Sequence, residues 1–96
     1  MLRDMKRFNW SSEKNQQLIS ERSVSFEDVV FFLLQGDILD NVKHPNPAKY
    51  PDQRIFVLSI DDYVHLVPYI ESSEEIFLKT IIPSRKATRE YLGGKK

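Results

Sequence analysis

The chain has 96 residues, 41% hydrophobic and 29% charged, with no cysteine and a formal net charge of zero. That length suits one domain, the composition suits a folded globular chain, and the absence of cysteine excludes disulfides and thiolate metal sites. The longest apolar run, Val29 to Leu34, is far shorter than the roughly 20 residues of a membrane span, and MLRDMKRFNW lacks the apolar centre of a secretory signal, so a cytoplasmic location without membrane contact is expected.

In chain order, Arg7 to Trp10 reads as a short strand. Ser11 and Ser12 are candidate N-caps for a polar helix reaching about Arg22, whose strong apolar residues are Leu18 and Ile19. Ser25, with Asp28 three residues on, predicts a second capped helix. Its apolar stripe is Phe26, Val29, Val30, Leu33 and Leu34, and Gly36 is placed to stop it.

Ile38 to Val42 reads as an edge strand, and residues 43–53 form a loop that three prolines bar from being helical. Strands are predicted over Arg54 to Ile60, Tyr63 to Ile70 and Glu75 to Ile82, with turns at Asp61-Asp62 and Ser72-Ser73. Pro83 and Ser84 then open a short helix ended by Gly93-Gly94, with a flexible tail over residues 93–96. The expected fold is a single α+β domain: β-α-α, an antiparallel meander of about four strands, and a short C-terminal helix.

With these turns Leu58 faces His65, Arg54 faces Tyr69, and Tyr69 faces Ile76. One sheet face then holds Ile55, Val57, Ser59, Val64, Leu66, Ile70, Phe77 and Ile81, with Lys79, and is expected to pack under the Phe26 to Leu34 helix. The other holds Arg54, Phe56, Leu58, Tyr63, His65, Val67, Tyr69, Leu78 and Thr80. Its rings, guanidinium and imidazole suit base stacking and phosphate contact, and cover by the terminal helix, over Phe56, Leu58, Val67 and Leu78 as a second small core, is an equally weighted expectation for its aliphatic members.

The zero net charge hides a division. Residues 1–10 and 79–96 hold nine basic side chains against Asp4 and Glu90, and the middle carries the balancing acidic excess. If the ends meet, they make a basic surface on an acidic body, open to two partners of opposite sign.

RNA cleavage without a metal needs a base for the 2′-OH, cations for the phosphorane and an acid for the leaving oxygen. Arg54, Arg85 and Arg89 are candidate phosphate forks, with Lys79 and Lys86 as point charges. His44 or His65 could move protons, and Tyr91 could do so with a strongly perturbed proton, although a strand histidine and a helix tyrosine are more often packing groups. Two distant histidines form no metal cluster, and no cofactor is expected.

FNWSSEKN…VSFED and IIPSRKATREY together resemble the opening and closing segments of the BrnT family of type II toxin–antitoxin ribonucleases, whose fold is related to the RelE toxins. Phe8, Trp10, Lys14, Asn15, Val24, Ser25, Phe26 and Glu27 match the first, and Ile81, Ile82, Arg85, Lys86, Ala87 and Thr88 match the second. Ser11 stands where the family has Asp, Glu21-Arg22-Ser23 where it has Lys-His-Gly, and Pro83-Ser84 where it has Ser-Ala.

The resemblance implies a RelE-like toxin that cuts RNA, with mRNA the expected substrate, and blocks translation. It also implies neutralisation in a hetero-oligomer by a cognate antitoxin, often with a ribbon-helix-helix DNA-binding domain. Catalytic roles are expected for Arg54, His65, Lys79, Arg85 and Tyr91, and RNA contact for Lys86, Arg89 and Tyr69. Loss of the family histidine and the acidic middle suit the alternative, a non-catalytic interaction module acting as co-repressor.

Overall fold

The computed structural model describes residues 6–93. They form β1 (Arg7–Asn9), α1 (Ser12–Arg22), α2 (Phe26–Leu34), β2 (Ile38–Lys43), β3 (Gln53–Ile60), β4 (Tyr63–Glu71), β5 (Glu75–Leu78), β6 (Ile82–Pro83) and α3 (Arg85–Tyr91). One mixed sheet runs in the order β1-β5-β4-β3-β2, and β6 pairs with β4. The α+β class and the β2 to β5 meander match expectation. The sheet has six strands rather than about four, because β1 joins β5 in parallel and the last predicted strand divides in two.

Local chemistry accounts for the helix ends. Ser11 accepts the Lys14 N–H to start α1, which ends at Ser23 in the left-handed region (φ 57°). Ser25 and Asp28 complete a reciprocal capping box on α2, and Gly36 follows it at φ 86°. Of the expected α2 stripe, Phe26 and Val29 are buried, Val30 and Leu33 are partly so, and Leu34 is exposed. Leu34 closes the helix just before the chain turns away, so the half-buried Phe32 packs against the core where Leu34 does not.

The aromatic and polar groups of the opening segment are largely structural. Trp10 stacks on Phe26 with centroids 5.6 Å apart. The buried Asn15 accepts the Phe26 N–H at 2.7 Å and donates to Glu27 at 2.8 Å, tying α1 to α2. Asn15→Leu leaves the Phe26 N–H without its partner and is expected to lower stability by about 1–3 kcal/mol. Urea unfolding should show this as a lower midpoint at constant slope.

Asp61 and Asp62 both adopt positive φ (54° and 65°), the backbone of a type I′ turn without glycine, and Leu58↔His65 and Arg54↔Tyr69 pair as expected. The next turn is displaced by one residue to Ser73-Glu74: Ser72 N–H bonds the Glu75 carbonyl, so Tyr69 faces Leu78 and Glu71 faces Ile76. Tyr69↔Ile76 is thereby corrected. The two-residue displacement of register preserves which face each side chain takes.

A second correction concerns the strand expected to run through Ile82. The ladder holds as far as Lys79, whose N–H bonds the Pro68 carbonyl, and resumes at Leu66↔Ile82 with one residue inserted. One extra residue reverses the faces beyond it, which turns Ile81 into the core with Phe26, Leu58 and Val67.

The helix layers are exchanged relative to expectation. α1 and α2 cover Phe56, Leu58, Ile60, Val67, Tyr69 and Leu78, whereas α3 places Ala87 on Ile55, Val57 and Val64. Both sets are apolar, so alternation separates them without saying which helix covers which. The deciding contacts are those of Val64: its carbonyl accepts the Ser84 N–H at 2.9 Å and its N–H donates to the Thr88 hydroxyl at 2.8 Å, fixing α3 on the Val64 side.

Candidate nucleic-acid interface

The sheet divides the eight residues expected at the site. Lys79 stands on the α3 side with its Nζ 5.6 Å from the Phe77 ring centroid, and Arg85, Lys86, Arg89 and Tyr91 belong to α3 itself. Arg54, His65 and Tyr69 take the α1–α2 side. Among the described residues the two chain ends lie apart: β1, carrying Arg7, forms one sheet edge, while Tyr91 at the end of α3 reaches Asp40 of β2 at the other.

On α3 the closing segment separates into structural and free groups. Ser84 caps the helix through the Ala87 N–H, Ala87 is buried, and the Thr88 hydroxyl donates to the Ser84 carbonyl at 2.7 Å. Arg85, Lys86 and Arg89 are exposed, and among the described residues their side chains make no hydrogen bond or ion pair within the fold. Two of them occupy the first turn, where the helix dipole disfavours cations.

Tyr91 donates to Asp40 Oδ2 at 2.8 Å. The hydrogen-bonded Asp40 carboxylate holds the phenol proton above its ordinary range, and the same bond lowers Asp40. Tyr91 is therefore a fastener between α3 and β2, poorly suited to proton transfer. The buried Tyr69 ring stacks on Phe56 with centroids 3.9 Å apart, which leaves no face for a base, although the residue lines the cavity that holds Arg54.

Arg54 sits in a cavity of about 360 Å³ with Lys43, His44, Tyr50, Asp52 and Glu71. Its Nε and Nη2 donate to Asn41 Oδ1 and the Asn41 carbonyl at 2.9 and 3.0 Å, and Asn41 Nδ2 donates to the Tyr69 hydroxyl, so one asparagine orients both side chains. Lys43 lies directly across the ladder from Arg54, a like-charge pair that a strand pairing disfavours and an anion would relieve. Lys43 also lines a second cavity of about 270 Å³ with Lys86 and Tyr91, making it the link between the Arg54 side and α3.

Lys43 escaped the sequence reading because it closes β2 at the proline loop. Counting back from the β3 register would have set it opposite Arg54. His44 accepts the Asn46 N–H at Nδ1, which leaves Nε2 as the hydrogen-bearing atom of the neutral ring, and packs on Tyr50.

His65 lies in a groove of about 550 Å³ with Arg22, Tyr63, Phe31, Phe32, Asp28 and Asp61. Its Nδ1 is 3.0 Å from the Tyr63 carbonyl, which can only accept, so Nε2 carries the free lone pair. Burial lowers its pKa, helped by the Arg22 charge and opposed by the Tyr63 carbonyl and Asp61, which favours the neutral ring. The His65 backbone pairs with Pro83, two residues before Arg85, while its imidazole stays on the α1–α2 side of the sheet, across from α3.

The lowered value has a consequence for stability. Between the folded value and the ordinary 6.5, the unfolded chain binds the proton more readily, so this contribution to stability is full above about pH 6.5 and declines as pH falls through that range. His65→Gln should therefore lose less stability than the parent chain between about pH 7 and pH 5.5, read as the change in thermal midpoint.

Among the described residues no group of three or more His, Asp or Glu side chains is placed to hold a metal ion, and no helix is long and apolar enough to cross a membrane. Comparison of the chain with protein-family models, with curated proteins and with solved structures finds no match.

Proposed function

We propose that the chain is the toxin of a toxin–antitoxin pair, a BrnT-like and RelE-like endoribonuclease that cuts RNA without a metal ion and is neutralised by a cognate antitoxin. The observation that carries this reading is the division within the closing segment. Ile81, Ser84, Ala87 and Thr88 are consumed in packing and capping, whereas Arg85 and Lys86, with Arg89, present unpartnered cations to solvent.

In this reading the α3 cations hold the phosphate chain, and Arg85 stabilises the charge that develops on phosphorus. Lys43 and Arg54 extend the path of phosphate contacts around the edge of β2.

A non-catalytic interaction module that serves as co-repressor beside a DNA-binding antitoxin is the second reading. It is favoured by the sheet's separation of Arg54 from Arg85 and by the engagement of Tyr91 with Asp40. Expression of the chain without an antitoxin distinguishes the two. Growth arrest relieved by Arg85→Ala supports the ribonuclease, and unimpaired growth with folded protein supports the module.

A further inference from the structure

We propose that the outer flank of α2 and the free edge of β2 form a docking surface for an apolar, positively charged segment of a partner protein. Phe31 and Leu34, one helical turn apart on α2, are 55% and 64% exposed, and Ile38 and Leu39 at the start of β2 are 42% and 38% exposed. Ile38 stands directly opposite Leu58, which is buried beneath α2, so Ile38 points to the helix side of the sheet and adjoins the same flank. Large side chains left bare together on one flank mark an interaction surface more often than singly scattered ones do.

Among the described residues β2 is the last strand of the sheet, with no neighbour on its outer side, and the ladder irregularity between Ile38 and Asp40 bends its start. Such a bend discourages indiscriminate strand pairing, leaving side-chain contact as the means of recognition.

Charge selects the occupant. From Ser23 to Leu39 the chain carries Glu27, Asp28 and Asp37 and not one Lys, Arg or His. Ser59 N–H reaches the Asp37 carbonyl, which places the Asp61-Asp62 turn at the same end of the sheet. Arg22 shares the His65 groove with Phe31 and donates one N–H to the Ile81 carbonyl.

A second copy would bring two acidic faces together, and nucleic acid or an anionic membrane would be repelled. A segment with apolar anchors and flanking lysines or arginines satisfies both the bare side chains and the carboxylates. The surface lies on the opposite face of the sheet from α3 and holds whether or not the chain cuts RNA.

The test uses a short amphipathic peptide of leucine and lysine, and a leucine–glutamate counterpart, titrated into the isotopically labelled full chain and followed by amide shifts. The leucine–lysine peptide is expected to shift α2 and β2 amides, with affinity that falls as salt rises. Phe31→Ser with Leu34→Ser should weaken it by roughly tenfold or more. Asp37→Lys, which removes no side-chain contact of the fold, should weaken it at low salt.

Shifts confined to other elements, equal binding of the leucine–glutamate peptide, or unchanged affinity in Asp37→Lys would overturn the proposal. So would self-association of the chain through α2 and β2.

Discussion

Phe26→Ala is expected to lower the unfolding free energy by about 3–5 kcal/mol, a large share of the roughly 5–15 kcal/mol that holds a domain of this kind together. Phe26 is fully buried among Leu58, Val67 and Ile81, stacks on Trp10, and holds its N–H on Asn15. At about 4–8 °C per kcal/mol for a domain of this size, the midpoint should fall by roughly 10–40 °C.

Phe31, the same residue type in the same helix, is mostly exposed, and Phe31→Ala should cost under about 1 kcal/mol. Comparable losses at the two positions would contradict the packing of α2 on β3.

Arg85→Ala is expected to reduce the rate of RNA cleavage by roughly 10²–10³-fold, the usual cost of removing one group that stabilises developing charge. The far-ultraviolet spectrum and thermal midpoint should not change, because the side chain has no partner within the described fold. Lys86→Ala with Arg89→Ala should act differently, weakening RNA binding across sequences. If each contacts one phosphate of a single strand, the salt slope should decrease by about 1.4, at roughly 0.7 per contact. A slope equal to that of the parent chain would remove these two residues from the path of the RNA.

Where a local signal was complete, the residues alone foretold the structure. Ser25, Asp28 and the Phe26, Val29, Val30, Leu33 spacing specify α2, and the Asp61-Asp62 turn sets the β3–β4 register. What was not legible depended on single-residue choices of nearly equal local energy. Ser72-Ser73 and Ser73-Glu74 are both acceptable turns, and the latter is selected by the Ser72 to Glu75 bond. The residue inserted after Lys79 leaves no mark in the hydrophobic pattern, yet it sends Ile81 to the other face.

The candidate site was legible in its chemistry more than in its assembly. Arg85 and Lys86 in the first turn of α3 and Arg89 in its last stand free among the described residues, whereas the Tyr69 ring and the Tyr91 hydroxyl are committed to Phe56 and Asp40. An aromatic residue's availability depends on what tertiary contacts leave uncovered, and both tyrosines gained partners more than twelve positions away, Asn41 for the Tyr69 hydroxyl and Asp40 for Tyr91. The division of Arg54 from α3 follows from the Val64 contacts, which no periodicity could supply.

The most direct measurement is cleavage of cellular RNA by the purified, antitoxin-free chain in the presence of EDTA. The account predicts cut RNA whose new ends are a 2′,3′-cyclic phosphate and a 5′-hydroxyl, as attack by the 2′-oxygen requires, and cutting by Arg85→Ala slowed by roughly 10²–10³-fold at matched concentration. Intact RNA in both EDTA and Mg²⁺, with the chain shown to be folded, would contradict it.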